Sequence, residues 1–424
     1  MRVHRVVQVL VATLLVGLLV SACAGGGGPA TPTPAAQRTV KVGLGISLTG
    51  ALASTTVPIS YGIWDYLRYV NDVQGGLKYR SPGGPEETVT MELKWEDMAY
   101  DPARSVATYK RLKDWGAQMM HLTAGSMLLP NLGSITKDNM AIPYYGPSQP
   151  NALAERPINT VGTFGAYTDE DALFATWVKD NWKEARPPKI GYLHLETAMS
   201  RAELPGKLPD YVRGIGVDYL GMEWLPYAVT DSSVELKRLA DAGADWIFTA
   251  HVPGGLSTIY KDAQRLGLLG KIKFFIVHWG FSEGFVEAVG PLAEGVYGWI
   301  PSATAAENLP GVKLAGEIAQ RYHPGYKLNT TYLQGNVVGI VMAEALKKAL
   351  EKTGYANLTR EAIRDAMVSI RGLDTGGIVP TINMDPAYPL MNPKYKVGVV
   401  QGGQFRLVSD WLEMKYLMKG WKPQ

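Results

Sequence analysis

The sequence predicts an α/β protein in which two doubly wound parallel sheets form two lobes with a cleft between them. Strand-like apolar runs alternate with helical patterns along the chain, and this alternation is typical of a parallel sheet with helices on both faces. The order helix, Gly-Ala, strand, loop, helix, strand occurs in residues 115–149 and again in residues 242–282. This duplication predicts two similar lobes.

The first half begins with a strand, a helix and a second strand. Residues 40–48 are an apolar run that ends in a Thr-Gly turn, which is typical of a strand. The following segment places Ile63, Leu67 and Val70 on one helical face, at spacings of four and three. Residues 89–95 then predict the second strand, so the first unit has the strand–helix–strand order.

The later elements are marked by their boundary residues. A helix is predicted to begin after Asp101 and to end at Gly116, before a strand at residues 119–123. In the second half, Ser232 and Glu235 have the spacing of a capping box.

The C-terminal part predicts two helices and a hairpin. The longest helix is stopped by Gly354, and Thr359 is a cap for the next helix. Residues 396–400 and 404–408 alternate around a Gly-Gly pair, as in a β-hairpin.

Composition and charge exclude several classes of protein. The 424 residues include 42 Lys+Arg, 39 Asp+Glu and one cysteine, with a formal charge of +3. This near-neutral balance argues against a nucleic-acid-binding protein, which needs clustered cations to neutralise phosphates. A single cysteine excludes a disulfide framework, a cysteine zinc site and an iron–sulfur cluster.

The chain also lacks the familiar catalytic motifs. It has no Gly-x-Ser-x-Gly, Walker or His-Glu-x-x-His pattern, and the glycine spacing after the first strand does not fit a dinucleotide-binding fingerprint. We therefore expect neither an enzyme nor a bound cofactor, although an enzyme with an unrecognised site stays open.

The N-terminus predicts export and a lipid anchor. Arg2 and Arg5 precede an apolar run at residues 6–20, which fits a signal-peptide core and is short for a membrane span. Small residues lead directly into Cys23, which resembles a bacterial lipobox with cleavage after residue 22. Two acyl chains on that thiol would make a stable anchor in the lipid bilayer. The alternative is an ordinary signal peptide followed by a free buried cysteine.

A Gly- and Pro-rich stretch at residues 23–38 separates the predicted anchor from the folded part. Such composition is typical of a flexible tether. The protein is therefore expected outside the cytoplasm, attached to the cell membrane.

Four histidines and one tryptophan are candidates for ligand contact. His121, His194, His251 and His278 each lie at or near the end of a predicted strand, where open α/β sheets bind ligands. They can bind a metal or an anion, or they can be core histidines; we expect no metal site, because no partner stands at a helical spacing. Trp279 follows a strand end and is a candidate stacking ring.

Taken together, the chain resembles the extracytoplasmic solute-binding proteins of ABC importers, in the branched-chain amino acid class. The similarity runs from residue 40 to about residue 412 and is carried by the order and spacing of VKVGLGISLTGALA, NDVQGGL, ELKWEDMAYDPARSVATYKRL, AIPYYGPSQPNAL, ALKKALEKTG and VVQGGQFRLVSDW. The resemblance implies the type I periplasmic binding protein fold, in which three crossovers join two lobes as a hinge.

The resemblance also implies the lobe boundaries. Lobe one is expected at residues 39–164 plus 303–379, and lobe two at residues 165–302 plus 380–424. The three crossovers are expected near residues 163–167, 298–302 and 380–384.

In lobe one, the family holds its ligand with the first loop and with the loops after the third and fourth strands. Backbone N–H groups and hydroxyls there suit a carboxylate, and helix N-termini favour an anion. The matching residues are Thr49, Thr55, Ala124, Gly125, Ser126, Ser148 and Gln149. For the two serines, simple capping is the alternative role.

Lobe two departs from the family pattern. Met199 stands where the family commonly has a tyrosine, and Trp279 aligns with the acid that pairs with the ammonium of an amino-acid ligand. An unpaired buried ammonium is costly, so only Glu196 is left to compensate. The resemblance implies an amino acid or a related carboxylate or amide as the ligand. An aromatic or aliphatic carboxylate, an amide or another small neutral solute fits Met199, Trp279 and His251 at least as well as an amino acid.

The function implied by the resemblance is delivery of the captured solute to an ABC permease by a monomeric protein. The alternative is a ligand-sensing module that reports to a membrane receptor without transport.

Overall fold

A computed structural model of the protein describes residues 38–50, 52–123, 125–147, 150–196, 200–201 and 207–417. The predicted signal peptide, Cys23 and most of the tether lie outside the described residues, as do four predicted ligand contacts, Ala124, Ser148, Gln149 and Met199. Arg38–Gln424 forms one compact unit. A polypeptide that begins at Arg38 keeps every described residue of the hydrophobic core.

Strands and helices alternate along most of the chain, as predicted. The strands are β1 (Thr39–Ile46), β2 (Leu77–Arg80), β3 (Glu86–Asp97), β4 (Met119–Leu122), β5 (Ile142–Pro147), β6 (Thr160–Phe164), β7 (Lys189–Leu195), β8 (Asp218–Leu225), β9 (Trp246–Ala250), β10 (Lys273–Ile276), β11 (Tyr297–Ile300), β12 (Lys394–Gln401), β13 (Gln404–Leu407) and β14 (Leu412–Glu413). The α-helices are α1 (Ala53–Asp72), α2 (Pro102–Asp114), α3 (Gly125–Leu128), α4 (Leu132–Lys137), α5 (Pro150–Ala154), α6 (Tyr167–Asn181), α7 (Lys207–Gly214), α8 (Ser233–Asp241), α9 (Pro253–Arg265), α10 (Glu283–Val289), α11 (Pro310–Tyr322), α12 (Thr330–Thr353) and α13 (Arg360–Val368).

The strands form two main sheets and a short pair. The first sheet has the order β2-β3-β1-β4, with β1 parallel to both β3 and β4. The second runs β13-β12-β11-β10-β9-β7-β8 and is parallel from β8 to β11, whereas β12 and β13 are antiparallel at its edge. β5 and β6 pair in parallel by themselves. Strands β4 and β9 are buried along their whole length, as expected when helices cover both faces of a sheet. The predicted α/β class is confirmed.

Helices α1 and α12 pack with their backbones in close approach. A Cβ atom added to Gly62 would lie 2.2 Å from the carbonyl oxygen of Tyr332, and one added to Gly335 would lie equally close to that of Ile59. The Asn336 amide also donates to the carbonyl of Gly62, at 3.0 Å. This contact fixes α1, whose N-terminus reaches the candidate site.

Most of the predicted helix boundaries are confirmed. The side chains of Asp101 and Thr359 accept hydrogen bonds from the first turns of α2 and α13, and Gly354 ends α12. The predicted capping box at Ser232 is wrong: Ser232 stands at the N-cap of α8, but its hydroxyl and backbone N–H both donate to Asp262, at 2.9 and 2.8 Å. A carboxylate thirty residues away has displaced the local cap.

The chain passes between the two sheets three times, from β6 to α6, from β11 to α11, and from α13 to β12. A side-chain contact also joins α10 to the start of α12. The Glu283 carboxylate accepts a hydrogen bond from the backbone N–H of Thr330, at 3.0 Å, and one from its hydroxyl, at 2.8 Å. Glu283 thereby places a negative charge at the N-terminus of the 24-residue helix α12. The residue numbers of the lobe boundaries stay predictions.

None of the helices within the described ranges is both long enough and apolar enough to cross a membrane.

Candidate functional site

A cleft of about 750 Å³ is lined by residues that follow strands of both sheets. Around the first sheet and the β5–β6 pair, the lining includes Leu52, Thr55, Thr56, Tyr100, Ser126 and Tyr145. Around the second sheet it comprises, in the described part of the chain, Tyr167, Leu195, Ser200, Tyr227, Val252 and Trp279. The carboxyl ends of parallel strands converge at one edge of each sheet, so the cleft lies where an open α/β sheet binds its ligand.

The first wall is built on the start of α1 and on the loop after β4. Thr55 is 6% exposed, and its hydroxyl has no hydrogen-bond partner among the described residues. The neighbouring Thr56 instead donates to the carbonyl oxygen of Leu52, at 3.0 Å, so its hydroxyl is satisfied. Ser126 lies 3.0 Å from the hydroxyl of Tyr100, which joins two loops of this wall.

The second wall is largely aromatic. Trp279 is 8% exposed and its indole N–H has no partner, while its ring packs edge-on against Tyr167 with 6.4 Å between centroids. The hydroxyl of Tyr227 also lacks a partner, and burial raises the pKa of this phenol, so it stays protonated. Trp279 therefore lines the cleft with an aromatic side chain and carries a buried N–H donor that has no partner among the described residues.

The predicted contacts do not all reach this cleft. Thr55, Gly125, Ser126 and Trp279 line it. Thr49 does not, because its hydroxyl donates to Asp97, at 2.6 Å. Direct contact of the four lining residues with a ligand stays a prediction.

Glu196 is half-exposed, and its carboxylate accepts from Arg201 at 2.7 Å. His251 is fully buried; its Nε2 lies 3.1 Å from the carbonyl oxygen of Pro226, and its Nδ1 accepts from the N–H of Val252 at 3.0 Å. Neither residue is part of the described lining. Both ring nitrogens of His251 and one carboxylate oxygen of Glu196 thus already contact protein groups.

The four strand-end histidines do not meet at one place. His121 makes its contact with the carbonyl oxygen of Pro143, at 2.8 Å, whereas His194 lies 3.3 Å from Asp171 and His278 lies 2.7 Å from Glu170. Within the described ranges no group of three or more His, Cys, Asp or Glu side chains can hold a metal ion. All four histidines are buried, as the alternative of core histidines predicted.

Two of these histidines form a buried polar cluster behind the second wall. Glu170 and Asp171, at the start of α6, are both fully buried, and Glu170 also accepts from Tyr395 at 3.0 Å. Burial raises the pKa of both carboxyls and lowers the pKa of His278, which favours neutral forms. His278 directly precedes Trp279, so this cluster supports the ring that faces the cleft.

Sequence reasoning missed the tyrosines of the cleft: Tyr100, Tyr145, Tyr167 and Tyr227. Each stands at or within a few residues of a strand end, the same signal that singled out Trp279. The hydroxyl of Tyr145 donates to Gln334 at 2.9 Å, so at least one of the four is fixed by the protein.

The electrostatic character of the cleft is set by helix ends and not by charged side chains. The described lining residues are apolar, aromatic, glycine or hydroxyl-bearing. Helices α1 and α9 begin at Leu52 and Val252, which both line the cleft and provide no side-chain cap. The N-terminus of a helix carries a partial positive charge, so these two ends favour an electronegative group.

Solved structures share this architecture. A branched-chain amino acid ABC transporter protein from Thermus thermophilus with bound valine is 18% identical, with 89% of this chain and 97% of that chain covered and a TM-score of 0.76. A fatty acid ABC transporter substrate-binding protein from Thermomonospora curvata is 22% identical, with coverage of 91% and 94% and a TM-score of 0.75. A leucine-binding protein from Thermotoga maritima is 13% identical, with coverage of 87% and 98% and a TM-score of 0.71. At these identities the likeness shows the fold, which is that of the type I periplasmic binding proteins.

No curated protein matches the chain. A family model described as periplasmic binding protein matches residues 39–404, which is most of the sequence and includes every strand from β1 to β12. The chain therefore belongs to the periplasmic binding protein family.

Proposed function

We propose that this protein captures a small organic solute outside the cytoplasm and delivers it to an ABC permease. Its family consists of extracytoplasmic substrate-binding proteins. The observation that carries the proposal is the cleft, whose volume of about 750 Å³ falls in the range of small-molecule sites. A ligand that contacts both walls stabilises the arrangement in which they are close, and a permease can recognise that arrangement.

The solute we propose is an amino acid or a related carboxylate or amide. Two structural neighbours support this class: one holds valine and another is named for fatty acids. Both ligands join a carboxylate to an apolar chain. The aromatic and aliphatic side chains of the cleft suit such a chain.

We further propose that acylated Cys23 and the tether of residues 23–38 hold the protein at the membrane as a monomer, with both lobes free to meet the permease. In this function the protein retains its ligand without converting it. No cofactor takes part.

A thermal-shift screen of a polypeptide of residues 38–424 tests the capture step. A ligand at 100 times its dissociation constant stabilises the folded state by about 2.7 kcal/mol. For a chain of this size the unfolding entropy makes that a rise of about 3 °C in Tm. The panel comprises amino acids, aliphatic and aromatic carboxylates, and amides.

Two leucines on one segment provide a matched control. Leu129 lines the cleft, whereas Leu132, three residues later, is also half-buried but lies outside the lining. Leu129→Trp fills the cleft and should abolish the shift, whereas Leu132→Trp should keep it. If no solute of the panel shifts Tm, or if both variants respond equally, capture in this cleft is refuted.

Delivery is tested with the full chain and the permease in proteoliposomes. The liganded protein should stimulate ATP hydrolysis and solute uptake. Ligand binding without either response favours the sensing alternative.

A further inference from the structure

Three polar atoms at the cleft have no hydrogen-bond partner in the described chain: Thr55 Oγ1, Tyr227 Oη and Trp279 Nε1. Thr55 and Trp279 are more than nine-tenths buried, so solvent does not replace the missing partners. Buried polar groups are rarely left in this state, because the unmet desolvation is costly. All three residues line the same cleft, from both of its walls, so a ligand bound there is the candidate partner of these atoms.

All three groups can donate a hydrogen bond. The indole N–H of Trp279 is donor-only, and the protonated phenol of Tyr227 and the hydroxyl of Thr55 are able to donate as well. A ligand ammonium is itself donor-only and cannot satisfy Trp279. The complementary ligand group is therefore an acceptor, such as a carboxylate oxygen.

The helix ends select the charge of that acceptor. The uncapped N-termini of α1 and α9 lie at Leu52 and Val252, on opposite walls of the same cleft. They disfavour a cation and favour an anion there. The unpaired donors and the helix ends thus agree on a carboxylate.

The volume of the cleft limits the size of the rest of the ligand. At about 30 Å³ for each water-sized group, a cleft of about 750 Å³ has room for at most about 25 non-hydrogen atoms, whereas leucine has about nine. The side chains that surround this space are largely aromatic and aliphatic. The ligand body is therefore apolar and can exceed a branched-chain amino acid in size.

We propose that the ligand is an organic carboxylate with an aliphatic or aromatic body and without an α-ammonium group. The Trp279 N–H, together with the hydroxyls of Thr55 and Tyr227, recognises its oxygens. This inference rests on the proposed capture function and narrows it.

Matched ligand pairs test whether the protein prefers a ligand without an α-ammonium group. Isothermal titration of residues 38–424 compares leucine with 4-methylpentanoate, and phenylalanine with 3-phenylpropanoate; the members of each pair differ only in the α-amino group. We expect the amine-free acid to bind at least about a hundredfold more tightly, because the ammonium would lose its hydration without gaining an anionic partner. The matching primary amides should bind more weakly than the acids.

Matched variants test the donor. Trp279→Phe replaces the indole with a smaller aromatic ring that has no N–H, and it should weaken binding of the acid by about tenfold or more. Trp299→Phe is the control, since Trp299 also has an unpaired buried indole N–H but packs in the core against Phe275 and outside the cleft lining. The control should leave the affinity unchanged.

The outcomes separate this inference from the function on which it rests. Equal or tighter binding of the amino acids overturns the inference and leaves solute capture intact, and so does an affinity that Trp279→Phe does not change. Failure of every pair also overturns the inference. Capture in this cleft then fails as well if no solute of the broader panel shifts Tm, or if Leu129→Trp and Leu132→Trp respond equally.

Discussion

His121 provides a quantitative test of how burial sets protonation in this fold. The residue is fully buried on β4, in the sheet that carries one wall of the cleft. Its Nδ1 lies 2.8 Å from the carbonyl oxygen of Pro143, so Nδ1 carries the proton, and Nε2 has no partner. The change we consider is His121→Asn, whose amide N–H2 can keep the bond to Pro143 but does not titrate.

The magnitude follows from the two protonation equilibria. Burial lowers the pKa of His121 from 6.5 to about 4 in the folded state. The folded protein therefore binds fewer protons than the unfolded chain below pH 6.5, and stability that is present above this pH is lost as the pH falls toward 4. With about 1.4 kcal/mol for each pKa unit, the loss attributable to His121 is about 3 kcal/mol by pH 4.

The assay is urea denaturation of residues 38–424 at pH 7, 5.5 and 4, for the parent protein and for His121→Asn. The variant is expected to be less stable at pH 7, because it leaves a small cavity, but to lose about 3 kcal/mol less between pH 7 and 4. The difference between the two pH slopes isolates His121 from every other titrating group. If the free energy of unfolding changed equally with pH in both proteins, the folded protein would accept a charged His121. The conclusion that burial lowers the pKa of His121 would then be refuted.

Three further substitutions test the packing of α1 against α12, the contact of Glu283 with Thr330, and the ion pair of Glu196 with Arg201. Gly62→Ala should lower the free energy of unfolding, measured by urea titration, by about 1–3 kcal/mol or more, because the added Cβ meets a backbone oxygen. The control Gly133→Ala places its Cβ in open space and should be neutral or slightly stabilising. Glu283→Ala should cost about 1–2 kcal/mol in the same titration, because Thr330 loses a charged hydrogen-bond acceptor at the start of α12. Glu196→Gln should change ligand affinity by less than about 0.5 kcal/mol in isothermal titration, since this exposed carboxylate is not part of the described lining; a large loss would restore it as a ligand contact.

The fold class could be predicted from the sequence because several strands, β1 among them, are recognisable from their own residues. The run in β1 is almost wholly apolar since both faces of the strand are covered, and the alternation with helices then requires parallel pairing. A prediction from neighbouring residues was wrong where a residue distant in sequence forms the hydrogen bond instead. Ser232 has the spacing of a capping box, yet Asp262 takes its hydroxyl, and nothing near Ser232 in the chain announces that partner.

The site was predicted in part, for a similar reason. Position after a strand identified Trp279, and Thr55 entered through the family resemblance; both line the cleft. The same rule placed His251 as a candidate, and the family resemblance placed Glu196, but neither argument gives the direction of a side chain. Glu196 turns to Arg201 and His251 to the carbonyl of Pro226.

The strand-end histidines show how this cleft remains free of charged side chains in its described lining. Successive residues of a strand point to opposite faces, so a polar residue next to a lining residue is directed away from the cleft. His194 is buried beside Asp171 while its neighbour Leu195 lines the cleft, and just beyond β10, His278 lies beside Glu170 while Trp279 lines it. The imidazoles and carboxyls thereby lie beside one another behind the wall, and the described lining keeps aromatic, aliphatic and hydroxyl-bearing side chains. We therefore expect the pocket to distinguish ligands by their hydrogen-bond acceptors and apolar shape, because Glu170 and Asp171 are held in the core.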